Sequence, residues 1–439
     1  MVSLNGSLLF NKILEYGLYL LVFLLPWQTR WFVKIGETEY STYSLYVSDF
    51  LLEALVLLFV ALNFRLIFKP VKFSIPFCAI GLWIFFIFIS ALLAEDMGLA
   101  FFKLGWLFLG LSFFGLIART AYSKIKLVYS LLLGLFLQAF LGIYQFFTQT
   151  SFASKWLGLA EHNPVLAGVS VVEAIGSDGI WERWLRAYGG QDHPNILGGI
   201  LVIGLLLLIS VIISKNISGT LKRTQKILFS LTFVFLLTAI FFTFSRGAWA
   251  GLALGASIIF FYLLKKRQLK QQKELFIIAL PALIFLIVLS SVCSNLVLAR
   301  ISNSSRLEIK SNVERLESFS EAKNIVKKNW FFGVGLGNYT LALRSEKPSL
   351  EAWDYQPAHN VFLLVWAEAG VSGFLGFLGF LGFLGWKLIR EEKYFGLAIL
   401  TVLVTTMMVD HWYWSLHFGI LWLGLIFGLM MRTESVKLK

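Results

Sequence analysis

Long apolar runs and short polar ones alternate along the whole chain. Apolar stretches near the length of a membrane-crossing helix, about 20 residues, lie near 8–26, 46–66, 74–94, 99–118, 127–148, 194–213, 226–244, 247–264, 275–292, 359–386, 394–410 and 415–431. A chain in which most side chains face lipid or other helices needs this pattern. It predicts an all-α integral membrane protein, a single polytopic domain over 1–439 with about 12 transmembrane helices. The first run ends at Pro26-Trp27 with no small-residue cleavage site, so it is expected to be a retained helix rather than a removed signal.

The polar segments set the orientation. Arg65, Lys69 and Lys72 follow the second stretch, and Arg119, Lys124 and Lys126 the fourth. Lys215, Lys222, Arg223 and Lys226 follow the sixth, and Lys265, Lys266, Arg267, Lys270 and Lys273 the eighth. Lys387, Arg390 and Lys393 follow the tenth, and Arg432, Lys437 and Lys439 come last. All these clusters share one side if both termini are cytoplasmic, as the positive-inside rule requires. The other side then holds Glu95-Asp96, the turn Asp410-His411-Trp412 and two long loops, 149–193 and 293–358. The larger precedes the tenth span, and loops this long are usually functional. Within it, Leu307, Val313, Leu316, Phe319, Ile325 and Val326 fit the spacing of an amphipathic helix over about 306–330, on the membrane surface or over a cavity. The glycines at 373, 376, 379, 382 and 385 wind slowly around one helix and point to packing.

Composition agrees. The chain is 58% hydrophobic and 14% charged, too apolar for one soluble core. The net charge of +13 is spread through the short polar segments rather than gathered on one face, which argues against a nucleic-acid partner. The two cysteines, Cys78 and Cys293, fall near opposite membrane faces and are not expected to pair.

Four features on the outer side carry candidate chemistry. Ser245-Arg246-Gly247-Ala248-Trp249 places a cation in a tight hairpin between two apolar runs; the plainer reading is an arginine snorkelling to the interface. The segment from Arg186 to Asn195 runs into the sixth stretch, where Asn195 is a candidate helix cap. The loop helix carries Arg315, Phe319 and Ala322. It leads to Gly333-Val334-Gly335-Leu336-Gly337-Asn338-Tyr339, a turn that either cups an anion with backbone N–H groups or simply reverses the chain. His359-Asn360 opens the tenth stretch, with Glu368 two to three turns deeper. Histidine suits proton transfer near neutrality, and a glutamate inside an apolar run must be neutral, paired or functional. His162, His411 and His417 lack metal-ligand spacing with their neighbours, and no motif argues for a metal or a serine hydrolase.

In this order the motifs resemble the bacterial O-antigen ligase and O-antigen polymerase superfamily: Arg186-x-x-Gly189 with Pro194-Asn195, then Ser245–Trp249, then Arg315-x-x-x-Phe319-x-x-Ala322. The glycine turn, His359-Asn360-x-x-Leu363 and Ala367-Glu368-x-Gly370-x-x-Gly373 complete the series. Asn329–Phe332 departs from the usual proline before Gly-x-Gly, and Phe319 stands where tryptophan is usual. The resemblance implies a glycosyltransferase-C-like fold and a metal-independent, cofactor-free glycosyltransferase of the bacterial inner membrane. Its donor would be a glycan on undecaprenyl diphosphate, its acceptor a lipid A–core or another glycan, and its active site extracytoplasmic. On this reading Arg186, Arg246 and Arg315 clamp the diphosphate, since a planar guanidinium binds phosphate oxygens bidentately. His359 takes the acceptor proton. Asn195, Asn338 and Asn360 contact substrate or orient His359, and Glu368, Gly333 and Gly335 are structural. A transporter or flippase, and a scaffolding protein, are the alternatives outside this class.

Overall fold

The computed structural model describes residues 4–67, 75–176, 179–302 and 305–432. Helix α1 (Leu4–Leu24) leads into a hairpin of β1 (Arg30–Lys34) and β2 (Tyr43–Tyr46), with a 3-10 turn at Glu39–Ser41 between them. Helices α2 (Val47–Ile67), α3 (Ile75–Leu92), α4 (Met97–Arg119) and α5 (Lys124–Thr148) follow. A second hairpin, β3 (Val171–Ile175) and β4 (Trp181–Leu185), precedes α6 (Pro194–Ile217), α7 (Arg223–Phe242), α8 (Arg246–Lys265) and α9 (Leu269–Val292). The segment expected as the larger loop holds α10 (Ser294–Ser302), α11 (Arg306–Lys328) and α12 (Tyr339–Glu346). Last come α13 (Val361–Arg390), α14 (Tyr394–Met407), the short α15 (Trp412–Ser415) and α16 (His417–Met431).

The protein is an all-α multi-pass membrane protein. Among the described residues, α2, α4 to α9 and α13 are the eight helices long and apolar enough to cross a bilayer. Ile80–Leu92 of α3, together with α14 and α16, forms shorter apolar helices. Lys69, Lys72, Lys437 and Lys439 of the basic clusters lie outside the described residues.

Helix α6 is the centre of the bundle. Its residues are apolar on every side, and 94% of its most apolar stretch is buried, as befits a helix surrounded by others rather than by lipid. Small residues let its neighbours approach. Gly110 of α4 sits against Ile420 and Gly424 of α16, and Gly251 and Gly255 of α8 meet Val402 of α14. In the glycine run of α13, Gly376 packs under Trp83 of α3, whereas Gly379 and Gly382 face open space. A spacing of three therefore serves only part of one contact.

Helix α13 is broken at Gly370, which has φ 68° and ψ −174°. Broken backbone inside a bundle must find new partners, and the glycine turn supplies them. The N–H groups of Val334 and Gly335 donate to the carbonyls of Ala367 and Glu368 at 2.9 Å each, and Val371 N–H donates to the Trp330 carbonyl at 2.9 Å. A Cβ on Gly333 would run into the Glu368 backbone, and one on Gly370 into the Phe331 carbonyl. The turn thus docks into the break in α13, and the backbone N–H groups of Gly337 and Tyr339 bond the Glu368 carboxyl group.

Candidate functional site

At the end of the bundle where α6 begins lies a polar cavity of about 730 Å³. Both hairpins, α10, α11 and the turns before α13 and α15 contribute to its walls. Arg186, Asn195, Arg315 and His359, separated by up to 173 positions in the chain, all line it.

Local capping sets the geometry. Pro194 takes the first turn of α6, and the cap is His193, whose Nδ1 accepts from Asn195 N–H at 3.1 Å. The sequence assigned this cap to Asn195. Asn195 is freed for another role: its Oδ1 accepts from Arg186 Nη2 at 2.8 Å and its Nδ2 donates to Asp410 Oδ2 at 2.9 Å. Ser305 caps α11, with Glu308 N–H donating to its Oγ at 3.3 Å. That start turns Glu308, Ser311 and Arg315 toward the cavity. The expected apolar face of this helix is divided. Ile325 and Val326 are buried, while Val313 and Leu316 are exposed on the side away from the cavity.

The arginines fall into two groups. Arg186 is held on three sides: Nε donates to the Thr243 carbonyl at 2.7 Å, Nη1 to Ser170 Oγ at 2.7 Å and Nη2 to Asn195. It is 3% exposed and has no carboxylate partner among the described residues. Burial, and after it the charge of Arg300, pulls its guanidinium well below its ordinary value. Since guanidinium stays protonated in proteins, this marks a cation held at a cost. Arg300 pairs with the buried Glu308, and Arg246 reaches the same carboxylate at 3.3 Å. Arg315, also lowered by burial and by the Arg246 charge, makes neither hydrogen bond nor ion pair within the described protein. Glu308 is therefore shared between Arg246 and Arg300, and Arg186 and Arg315 keep their charge for the cavity.

Beside these cations is a cluster built from two turns. One ligand atom each from His359, Asp410 and His411 lies within 4.8 Å of the others. Asp410 accepts from Asn195 and from the N–H of His411, and His411 Nδ1 meets Ser415 Oγ at 2.7 Å. Burial alone would raise the Asp410 carboxyl, but His411, His359, His193 and the Asn195 amide together hold it at about 2. Burial drives His411 down to about 4. It also lowers His359, against the pull of Asp410 and with the push of Arg315. Near neutrality this is one carboxylate among neutral imidazoles. The His359 ring has no hydrogen bond within the described protein, and only its backbone N–H is engaged, by Ser318 Oγ at 3.2 Å. Its nitrogens are left to the cavity. The three side chains could together ligate a metal ion, and Arg186 and Arg315 line the same cavity.

Three residues expected at the site do not line the cavity. Arg246 stands behind it on Glu308 and on Asn312, at 3.3 Å. Asn360 caps α13, accepting from Leu363 N–H at 3.0 Å and donating to the Met408 carbonyl at 3.1 Å, which ties His359 to the Asp410 turn. Asn338 is buried in the glycine turn, where it bonds the Asp96 N–H at 3.0 Å and the Asp96 and Leu336 carbonyls. Glu368 lies deeper and accepts from Trp414 Nε1 at 2.8 Å. Conversely, Arg30, Lys103, His193, Arg300, Asp410 and His411 line the cavity without having been singled out as site residues. Lys103 was the most visible of these, a lysine inside the fourth apolar run.

The family described as O-Antigen ligase matches residues 231–378, so a domain of that family is present over this part of the chain. The match takes in Arg246, Arg315, the glycine turn, His359 and Glu368, but not Arg186, Asn195 or Asp410. A comparison with curated proteins finds no match.

Proposed function

We propose that this chain, with its O-antigen ligase domain over residues 231–378, is a membrane glycosyltransferase of the ligase or polymerase type. It moves a glycan from undecaprenyl diphosphate to an acceptor hydroxyl on the extracytoplasmic face of a bacterial inner membrane. The observation that carries this reading is the juxtaposition in one cavity of Arg186 and Arg315, which make no ion pair among the described residues, with a His359 ring that makes no hydrogen bond among them.

The chemistry follows from those groups. The acceptor oxygen forms a bond to the anomeric carbon as the bond from that carbon to the diphosphate oxygen breaks. The lipid diphosphate leaves with the electron pair. Arg186 and Arg315 bind its oxygens and stabilise the charge that develops there. Arg246 acts through Glu308, holding that carboxylate away from the diphosphate. His359 takes the acceptor proton, and its lowered pKa keeps it in the basic form that the step needs. The imidazolium that results faces the ionised Asp410. Diphosphate is a good leaving group, so the reaction runs without a metal and the His359–Asp410–His411 cluster works as a proton-handling group. The bundle is glycosyltransferase-C-like on this reading. The acceptor is lipid A–core for a ligase and the next repeat unit for a polymerase.

Sizing carrier-linked glycans from cells with and without the gene tests the proposal. Long chains stranded on the carrier identify a ligase, and single repeat units identify a polymerase. A carrier pool unchanged in size and amount would overturn the reading in favour of a transporter.

A further inference from the structure

The polar cavity has a second wall, built from the first hairpin and the turn before α6. Thr38 sets the turn between β1 and β2. Its hydroxyl meets Ser41 Oγ at 3.1 Å and Thr340 Oγ1 of α12 at 2.9 Å, which pins the turn in place. Glu39 opens that turn, and its exposed side chain lines the cavity. Arg30, the first residue of β1, lines it too. It pairs with the exposed Asp192 at 3.8 Å and donates to the Tyr46 hydroxyl at 3.2 Å.

The charges of the cavity therefore fall into two sets. Arg186 and Arg315 stand in the fields of Arg246, Arg300 and Glu308. Arg30 stands in the fields of Asp192 and Glu39. Burial, and then the Asp192 charge, push the Glu39 carboxyl up, against a hydrogen bond from Gln356 and the charge of Arg30. Lys103 comes to the same wall, with its amino group 3.7 Å from the centre of the Trp106 ring and 3.5 Å from the Ser415 carbonyl. Two carboxylates face Arg30 and that amine, so this wall carries no net positive charge.

The two sets suit different chemical groups. Arg186 and Arg315 attract a diphosphate. At the second wall an anion gains nothing, whereas a sugar ring gains much, because its hydroxyls donate to carboxylates and accept from a guanidinium or amine. Such convergent donors and acceptors are what orient a ligand in a pocket. The wall also borders the base. The Tyr40 ring, next in the chain to Glu39, meets His411 edge-on at 5.5 Å, and the His411 ring lies 5.2 Å from that of His359. We propose that Arg30, Glu39 and Asp192 form the acceptor subsite, and that it takes a neutral sugar, without carboxylate or phosphate, as the ring that presents the attacking hydroxyl. The subsite deepens the proposed glycosyl transfer and rests on it for the acceptor's role. All three residues lie outside 231–378, so the part of the chain matched by the O-antigen ligase family does not carry this choice.

The test reads sugar binding directly, by saturation-transfer NMR on the full chain in nanodiscs. The probes are the methyl glycosides of glucose, galactose and mannose, each beside its uronic acid counterpart. In wild type at least one neutral glycoside should receive saturation and its uronide about fivefold less, the worth of one exposed charge contact. Glu39→Gln with Asp192→Asn removes both negative charges from the wall and should reverse that order at an unchanged melt. In proteoliposomes the same double variant should raise the acceptor KM about fivefold and leave the donor KM as it was. Saturation of no neutral glycoside, an order that survives in the double variant, or an unchanged acceptor KM overturns the subsite. Sugar discrimination that stays intact in a wild-type protein releasing no lipid diphosphate supports the subsite and refutes glycosyl transfer alone.

Discussion

Arg315→Gln separates a site residue from a structural one. The wild-type guanidinium makes no hydrogen bond or ion pair within the described protein and stands in the field of Arg246. Its removal breaks no native polar contact, so stability should change by no more than about 0.5 kcal/mol, as for a substitution outside any bonded network. The effect on transfer should be much larger. A hydrogen bond to a charged group contributes about 1.5–3 kcal/mol, which at about 1.4 kcal/mol per decade is roughly a 10- to 150-fold loss in kcat/KM. Arg315→Lys should recover only part of this, since lysine restores charge without the planar fork. The assay is release of lipid diphosphate by purified protein in proteoliposomes, run beside a thermal melt. A kcat/KM within twofold of wild type, or a melt that collapses, would refute the reasoning.

Arg186→Gln removes three hydrogen bonds, to Thr243, Ser170 and Asn195, so it should lower both activity and melting temperature. His359→Gln should slow transfer by about 10²–10⁴-fold, the usual reach of general base catalysis, with the melt unchanged. His359 is lowered from its ordinary value, so wild-type kcat/KM should be flat near neutrality and fall as pH drops through a point below 6.5, where the base is protonated. Asp410 raises the His359 pKa, so in Asp410→Asn that acid limb should move to lower pH while the rate falls. A limb that stays in place would remove His359 from the proton step. Chelator treatment should leave the rate unchanged, whereas a loss restored by a divalent ion would place a metal on His359, Asp410 and His411. Gly370→Ala should lower stability by about 1–3 kcal/mol, the usual cost of forcing a side chain into a disfavoured backbone region, and a melt equal to wild type would contradict the docking of the glycine turn.

What the chain disclosed in advance follows from how each signal is written. The membrane helices were legible because a run of about 20 apolar residues states its own length and environment. Helix α11 was legible from the spacing of its apolar residues, although the face they mark is divided, with Ile325 and Val326 buried and Val313 and Leu316 exposed. The hairpins were not, because each strand has only four or five residues and β1 leaves Trp31, Phe32 and Val33 exposed, giving no alternation to read. At the site, His359 was visible as a polar residue at the mouth of an apolar run. Its partners Asp410 and His411 were legible only as part of a turn on the same side, for they follow α14, about fifty residues on, and the two turns are joined by the packing of α13 against α14 and α15 and by the Asn360–Met408 hydrogen bond. Asn195 was assigned the cap by its residue type, but His193 two residues earlier took that role, and no local signal tells the two apart. Arg246 and Arg300 share Glu308, a contact that needs three separate segments to meet and leaves no trace in spacing.

The central claim is that one cavity breaks a glycosyl–diphosphate bond with His359 as base. The most direct test supplies purified protein in proteoliposomes with a lipid-diphosphate-linked glycan and an acceptor, and measures free lipid diphosphate in wild type and His359→Gln. The account predicts release in wild type that depends on the acceptor and is lost in the variant. Release at the wild-type rate from His359→Gln, or movement of intact donor across the bilayer with no diphosphate released, would contradict it.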